Sequence, residues 1–358
     1  MDKLKPVIIG ATGAAGQNLV MFLENHPWFG LPALAASGRS AGKKYGEAIA
    51  GRSFFEKLPR EEIIEEKVLD IDGIDTSQFD IVFSAVPADI AMSAEPRFAK
   101  HLPVISTASA FRYEDDVPVL VPGVNSEHAE LIKMQKTRRG WSGFISPIPN
   151  CTTTGLVVSL RPIRDEFGIN SVHMVSMQAL SGAGEKGIVK DSEYRKSAEM
   201  NVLPYIEKEE EKVIKETKKI LGEYSKGKIV DAKMKVGCSC NRAYVENVHT
   251  ESVFVSTKHS CTVDDVKEAM SSFVGEPQRL NLPSAPQKMI IVAEEADMPQ
   301  PKLHVERYGR MSTAVGRIRE DAVFKNGIVY MLTSDNTGLG AGGGAVLNAE
   351  YLKAIGII

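Results

Sequence analysis

The sequence predicts an α/β protein in two units: a doubly wound parallel sheet within residues 1–150, then an α+β unit on a mixed sheet over 151–339. Three observations predict it. At 358 residues the chain is longer than one ordinary hydrophobic core sustains. Between Pro6 and Pro122, short apolar runs alternate with stretches of helical spacing, as strands joined by crossover helices do. Beyond Cys151 the runs lengthen and fill with β-branched and aromatic residues, with helical stretches between them.

In chain order, "PVIIG" reads as the first strand. "GQNLVMFLENH" follows as a helix, with Leu19, Val20, Phe22 and Leu23 on one face. "LPALAAS", "DIVFSAV" and "LPVIST" are the next strands, with "AMSAEPRFAKH" a helix between the last two, and "VPVLVP" is expected as the final strand of this unit. "SEHAELIKMQKTRRG" closes it as a helix whose basic last turn suits the negative end of the helix dipole. In the second unit the strands are "INSVHMVSMQAL", "HTESVFVSTK", "KMIIVA", "MSTAVGRI" and "GIVYMLTS". The helices are Cys151 to Phe167, Tyr205 to Leu221 and Val263 to Phe273. The tail "GAGGGAVLNAEYLKAIG" is a glycine turn into a helix, expected to return over residues 340–358 to the first unit.

Composition removes several classes of function. Hydrophobic residues make up 43% and charged residues 25%, the balance of a soluble globular chain. A formal net charge of −3 leaves no basic excess for nucleic acid. No apolar stretch reaches the ~18 residues of a membrane span. Met1-Asp2-Lys3 leads into the first strand without a signal-type apolar core, so a cytoplasmic location is expected. The cysteines are Cys151, Cys238, Cys240 and Cys261, read as free thiols in such a compartment. Cys238 and Cys240 lack a second Cys/His pair at zinc spacing. No metal is expected there, and the pair reads as side chains on alternate faces of one strand.

"GATGAAGQ" spaces Gly10, Gly13 and Gly16 three apart, directly after a strand and before a helix. Glycines let the backbone turn tightly and approach a phosphate. Ala11, Thr12, Ala14 and Ala15 complete the turn, and the helix behind it offers unpaired N–H groups. A turn of structural use alone is the plain alternative; the strand–turn–helix context favours a Rossmann-type dinucleotide site. An NAD site usually places an acid near the end of the second strand. Here "AASGRSAGKK" has none, and presents Ser37, Arg39 and Ser40, donors suited to a 2′-phosphate. NADP(H) is the expected cofactor.

"PNCTTTGLVVSL" sets Cys151 at the start of an apolar helix. A helix N-terminus stabilises a thiolate and lowers its pKa, whereas a lone cysteine in an apolar stretch is otherwise inert packing. Beside a nicotinamide, a thiolate suits aldehyde–acyl interconversion through a thioester. In "NRAYVENVHTESVFV", His249 and Arg242 both lie near the start of strand-like sequence. A histidine can move protons near neutral pH and an arginine can grip a carboxylate. On spacing alone, a surface pair is the plainer reading.

With "SGRSAGKKY", "FSAVP", "VPVLVPGVN", "PNCTTTGLV", "MQALSGAG", "EEEKVIKETKKILG", "HTESVFV" and "DNTGLGAGGG" added to the glycine turn, the chain resembles the aspartate-semialdehyde dehydrogenase family nearly end to end. The archaeal and fungal branch is the nearest in pattern. The resemblance implies reduction of 4-phospho-L-aspartate to L-aspartate 4-semialdehyde with NADPH, through a Cys151 thioester. The product would feed lysine (diaminopimelate), threonine and methionine synthesis. It implies that Gln178 orients the acyl group, that His249 is the acid/base, and that Arg242 binds the α-carboxylate. Glu209 would hold the amino group, and Arg112, Asn150 and Lys212 the phosphate. Ser181, Gly182 and Asn336 stand among the implied cofactor contacts, and a homodimer or homotetramer is implied. Thr107, Val248 and Leu339 depart from the family pattern, which has Asn, Gly and Arg there. Two other readings remain at this point: a malonyl- or succinyl-CoA reductase on the same fold, and a catalytically silent NADP-binding protein.

Overall fold

The computed structural model describes residues 3–55 and 58–358. Met1 and Asp2, which open the N-terminal reading, lie outside the described residues. The first sheet has six strands: β1 Pro6–Ile9, β2 Ala33–Ala36, β3 Leu69–Asp70, β4 Ile81–Ser84, β5 Pro103–Ser106 and β6 Phe144–Pro147. Their order is β3-β2-β1-β4-β5-β6, all parallel. All four residues of β1 are buried, as in a parallel sheet covered on both faces. Ile8, Leu34, Phe83, Ile105 and Phe144 point into one core; Val7, Ile9, Ala35, Val82, Val104 and Ile145 point into the other. Strand order reverses between β1 and β4, and a crevice at the carboxyl ends of such strands is where ligands bind in open α/β sheets.

The C-terminal helix Gly343–Ala354 packs into the first of these cores through Ala345, Val346, Leu347, Ala349 and Leu352. Polar ties fix it there: Glu350 Oε1 accepts from His26 Nε2 at 2.6 Å, and Asn348 Nδ2 donates to Ser146 Oγ at 3.1 Å.

The second half carries β7 Ile169–Gln178, β8 Val202–Leu203, β9 Glu223–Ser225, β10 Lys228–Val230, β11 Lys235–Ala243, β12 His249–Thr257, β13 Ile290–Ala293, β14 Thr313–Asp321 and β15 Gly327–Ser334. β9 and β10 form a small hairpin; the others make a seven-stranded sheet in the order β13-β14-β15-β12-β7-β11-β8. It is mixed: β11 runs parallel to β7, and β12 antiparallel to both β7 and β15. One face of β7 is buried through Val172, Met174, Ser176 and Gln178, beneath the helix Cys151–Phe167. No helix among the described residues is long and apolar enough to cross a membrane.

Four expectations are corrected. "VPVLVP" is not a strand. Val117, Val119, Leu120 and Val121 are buried, but their backbone is satisfied by a loop: Asn125 Oδ1 accepts from Val121 N–H, and Asn125 Nδ2 donates to the Val119 carbonyl. The strand beside β5 is β6, from the Pro-rich approach to Cys151. Cys238 and Cys240 share one face of β11 and pack in the same core, because residues two apart in a strand point the same way. Arg242 sits at the far end of β11, not near a strand start. The helix expected from Tyr205 begins at Glu209, because Lys208 adopts a left-handed conformation (φ +56°) that helical backbone cannot include.

Candidate active site

Asn150 caps the helix Cys151–Phe167: its Oδ1 accepts from the N–H groups of Thr152 and Thr153, at 2.9 and 3.3 Å. That cap fixes Cys151 as the first helical residue, on the wall of a cleft of about 290 Å³. Its Sγ lies 3.2 Å from Nε2 of His249, the first residue of β12. The other ring nitrogen, Nδ1, accepts from the Ala179 N–H at 3.1 Å. The neutral imidazole therefore carries its hydrogen on Nε2, facing the sulfur. Burial holds the imidazole well below its ordinary pKa, and the Arg242 guanidinium adds to the effect.

The sequence reading of a lowered thiol pKa is reversed in this state. Cys151 keeps part of its surface open to the cleft, yet its protein surroundings push the thiol up to about 12. Desolvation is the largest cause and the Glu209 charge the next; Arg242 and Arg112 oppose them. The helix N-terminus does not offset the loss of water around a thiolate.

The helix Glu209–Ile220 supplies the charged wall. Glu209 Oε1 accepts from Asn150 Nδ2 at 2.8 Å and from Gln178 Nε2 at 3.1 Å, and Lys212 Nζ lies 3.7 Å from its other oxygen. Gln178 ends β7 and pairs in register with Arg242 on β11. Arg242 Nη1 donates to the Ala179 carbonyl at 2.5 Å, and its Nε donates to Tyr194 Oη at 3.1 Å. Arg112, from the first half, reaches the same region: Nη1 donates to Glu216 at 3.0 Å and Nη2 to the Thr107 carbonyl at 2.9 Å. Glu216 and Tyr194 were not anticipated. Glu216 sits two turns beyond Glu209 on one helix face, a spacing that an exposed charged stripe shares; nothing in the sequence marked Tyr194.

The glycine turn fits a dinucleotide. Gly10 has φ +81°, and a Cβ on Gly16 would lie 2.2 Å from the Gly10 carbonyl oxygen, so both turn and helix need bare glycine here. The helix Ala14–Leu23 has no side-chain cap, leaving its first N–H groups for an anion. Ala14, Ala15, Ser181, Gly182 and Asn336 line the same cleft as Cys151. Asn336 Nδ2 donates to Ser181 Oγ at 2.9 Å. Ser37 and Arg39 are exposed beyond β2 and suit a 2′-phosphate. Ser40 differs: it is buried and accepts from Arg52 Nη2 at 3.4 Å.

Of the residues that depart from the family pattern, Thr107 bonds the Ser84 carbonyl while its own carbonyl holds Arg112. Val248 is buried with φ +74°, and Leu339 is buried in the second core.

Comparison with known proteins matches residues 6–132 to the semialdehyde dehydrogenase NAD-binding domain and residues 160–338 to the semialdehyde dehydrogenase dimerisation domain. The chain is 44% identical to an aspartate-semialdehyde dehydrogenase of Methanothermobacter thermautotrophicus, over 97% of this chain and 98% of that one. It is 37% identical to that of Candida albicans, over the full length of both. The crystal structure of the Candida albicans enzyme with NADP superposes with a TM-score of 0.89, at 36% identity and complete coverage of both chains. A Vibrio cholerae aspartate semialdehyde dehydrogenase II complexed with ASA gives 0.78, at 26% identity and 99% coverage of each.

Proposed function

The chain belongs to the aspartate-semialdehyde dehydrogenase family, and on that premise we propose that it reduces 4-phospho-L-aspartate to L-aspartate 4-semialdehyde, with NADP(H) as cofactor. The observation that carries the reading is the Cys151 sulfur at a helix N-terminus, 3.2 Å from an imidazole N–H and in one cleft with the glycine-turn helix.

Cys151 attacks the acyl carbon as the thiolate, its proton having left for the solvent in the cleft. A C–S bond forms, the C–O bond to phosphate breaks, and its electron pair leaves with phosphate, which takes up the one proton the reaction consumes. NADPH, when bound at the glycine turn, supplies the hydride that reduces the thioester carbon. His249 Nε2–H donates to the oxygen on that carbon as it gains negative charge. Collapse of the adduct re-forms the carbonyl and expels the Cys151 thiolate with no net proton transfer. For that oxygen a hydrogen-bond donor is therefore enough at His249, and the acid/base role implied by resemblance is not called on in this step. Gln178 orients the acyl oxygen and Arg242 takes the α-carboxylate. Glu209 takes the ammonium, and Arg112, Lys212 and Asn150 take the phosphate. A malonyl or succinyl thioester has no ammonium to meet the buried Glu209 carboxylate, which favours the aspartyl substrate.

We assign residues 1–150 to cofactor binding, 151–339 to catalysis and dimerisation, and the tail to the first domain. A homodimer, alone or paired as a tetramer, would use the outer face of the seven-stranded sheet. Val175, Met177, Phe254 and Met331 lie part-exposed there. Oxidation of NADPH with 4-phospho-L-aspartate tests the activity, and malonyl-CoA in its place tests the rival. Cys151→Ala is expected to keep NADPH binding and lose turnover. A wild-type enzyme trapped with substrate that yields no acylated peptide containing Cys151 would remove this mechanism.

A further inference from the structure

Glu216 is 1% exposed, and its two oxygens divide their work. Oε2 accepts from the backbone N–H of Asn150 at 2.6 Å, one residue before the nucleophile. Oε1 accepts from Arg112 Nη1 at 3.0 Å and from Tyr113 Oη at 3.2 Å. Burial, with the Glu216 charge beside it, pushes the Tyr113 phenol up, so it stays a donor. Lys219, from the same helix, donates through Nζ to the carbonyls of Arg112 and Glu114, at 2.8 Å each. Glu209, Lys212, Glu216 and Lys219 thus follow one another at spacings of three and four along one helical stripe. The first two reach toward substrate; the last two hold the Arg112 loop and the cap of the cysteine helix.

We propose that Glu216 is a positioning residue, one carboxylate that sets the phosphate-reading Arg112 and the nucleophile Cys151 at a fixed separation. The inference rests on the reaction proposed above. A neutral amide cannot replace it: glutamine has one acceptor where Glu216 serves donors on both oxygens, so one arm must break. A carboxylate that merely filled core space would not join the phosphate group to the cysteine group.

The test runs the wild type, Glu216→Gln, Arg112→Lys and the double variant in the aldehyde-oxidising direction. The readouts are KM for inorganic phosphate, and the single-turnover burst of NADP+ reduction without phosphate, which reports Cys151. Glu216→Gln is expected to raise the phosphate KM at least tenfold and slow the burst at least fivefold, with NADP+ affinity within twofold of wild type. Arg112→Lys should raise the phosphate KM with the burst nearly intact, and the double variant should show no further rise in phosphate KM. An unchanged burst in Glu216→Gln, or phosphate effects that multiply in the double variant, overturns the proposal. If Glu216→Gln does not fold, Glu216→Asp, which keeps both oxygens but draws them back by one methylene, reads the link: the phosphate KM should rise and the burst slow together, and a change in only one of the two overturns the proposal. Absence of wild-type turnover would sink the reaction assignment instead, and alkylation of Cys151 in Glu216→Gln would still test the positioning.

Discussion

Val248 donates its backbone N–H to Asn336 Oδ1 at 2.9 Å while holding a left-handed conformation, φ +74°, immediately before His249. A β-branched residue in that region is strained, and strain of this kind persists where surrounding contacts enforce it. Here Asn336, itself fixed to Ser181, enforces it. The buried isopropyl group opposes a simple relief by glycine, since deleting it loses packing of similar size. The comparison that isolates the strain is Val248→Gly against Val248→Ala, both of which lose the side chain. Ordinarily alanine is the more stable of the two by about 0.5–1 kcal/mol. At this position we expect the order to reverse, with the glycine variant about 1 kcal/mol more stable by denaturant unfolding. The ordinary order would mean that the backbone at 248 carries no strain.

Glu209 is close enough to Cys151 to disfavour its thiolate, after desolvation the largest cause of the raised thiol. Removing a negative charge near a thiolate lowers the thiol pKa. Glu209→Gln keeps an oxygen to accept from Asn150 and Gln178 and removes the charge. We expect the pH of half-maximal iodoacetamide alkylation of Cys151 to fall relative to wild type, and turnover to fall with it because the ammonium anchor is gone. The substrate's own ammonium, paired with Glu209, acts in the same direction, so the thiol ionises more readily once substrate is seated. An alkylation midpoint that stays put or rises in Glu209→Gln would contradict this.

His249 donates from Nε2 and accepts at Nδ1, and burial with Arg242 beside it keeps the ring neutral. Removal of such a donor costs on the order of 10²–10³ in kcat, which is the expected loss in His249→Ala. His249→Gln can offer a donor but cannot ferry a proton near neutral pH, and we expect it to retain about tenfold more activity than the alanine variant. Equal loss in both would return the histidine to a proton-transfer role.

β1, β2, β4 and β5 were legible as short apolar runs between helical stretches, whereas β3 and β6, at Leu69–Asp70 and Phe144–Pro147, were not read as strands. "VPVLVP" misled because its apolar side chains are as buried as a strand's. What settles its backbone is chiefly Asn125, four and six residues on, whose side chain accepts from Val121 and donates to Val119, an exchange that periodicity does not register. Asn150, Cys151 and Gln178 were visible through the motifs that surround them. Glu216 was hidden in a charge-rich helix, where a solvated face and a buried clamp have the same spacing. The thiol pKa was misread because a sequence shows the helix start but not how far the cleft excludes water.

Gly182 joins the oxyanion donor His249 and the carboxylate-binding Arg242 by what it lacks. A Cβ there would lie 2.7 Å from His249 Cε1 and 2.9 Å from Arg242 Nη1, closer than real contacts allow. His249 is fixed by Ala179 and Arg242 by Ala179 and Tyr194, so neither ring nor guanidinium can yield without breaking a hydrogen bond. Gly182→Ala should therefore lose catalysis by moving both groups. A displacement near 1 Å costs about 10²-fold in rate. We expect kcat to fall about that much and KM for the aldehyde to rise, because Arg242 would no longer meet the α-carboxylate squarely. A variant with wild-type kcat and KM would show that the space beside His249 and Arg242 is not where the substrate lies.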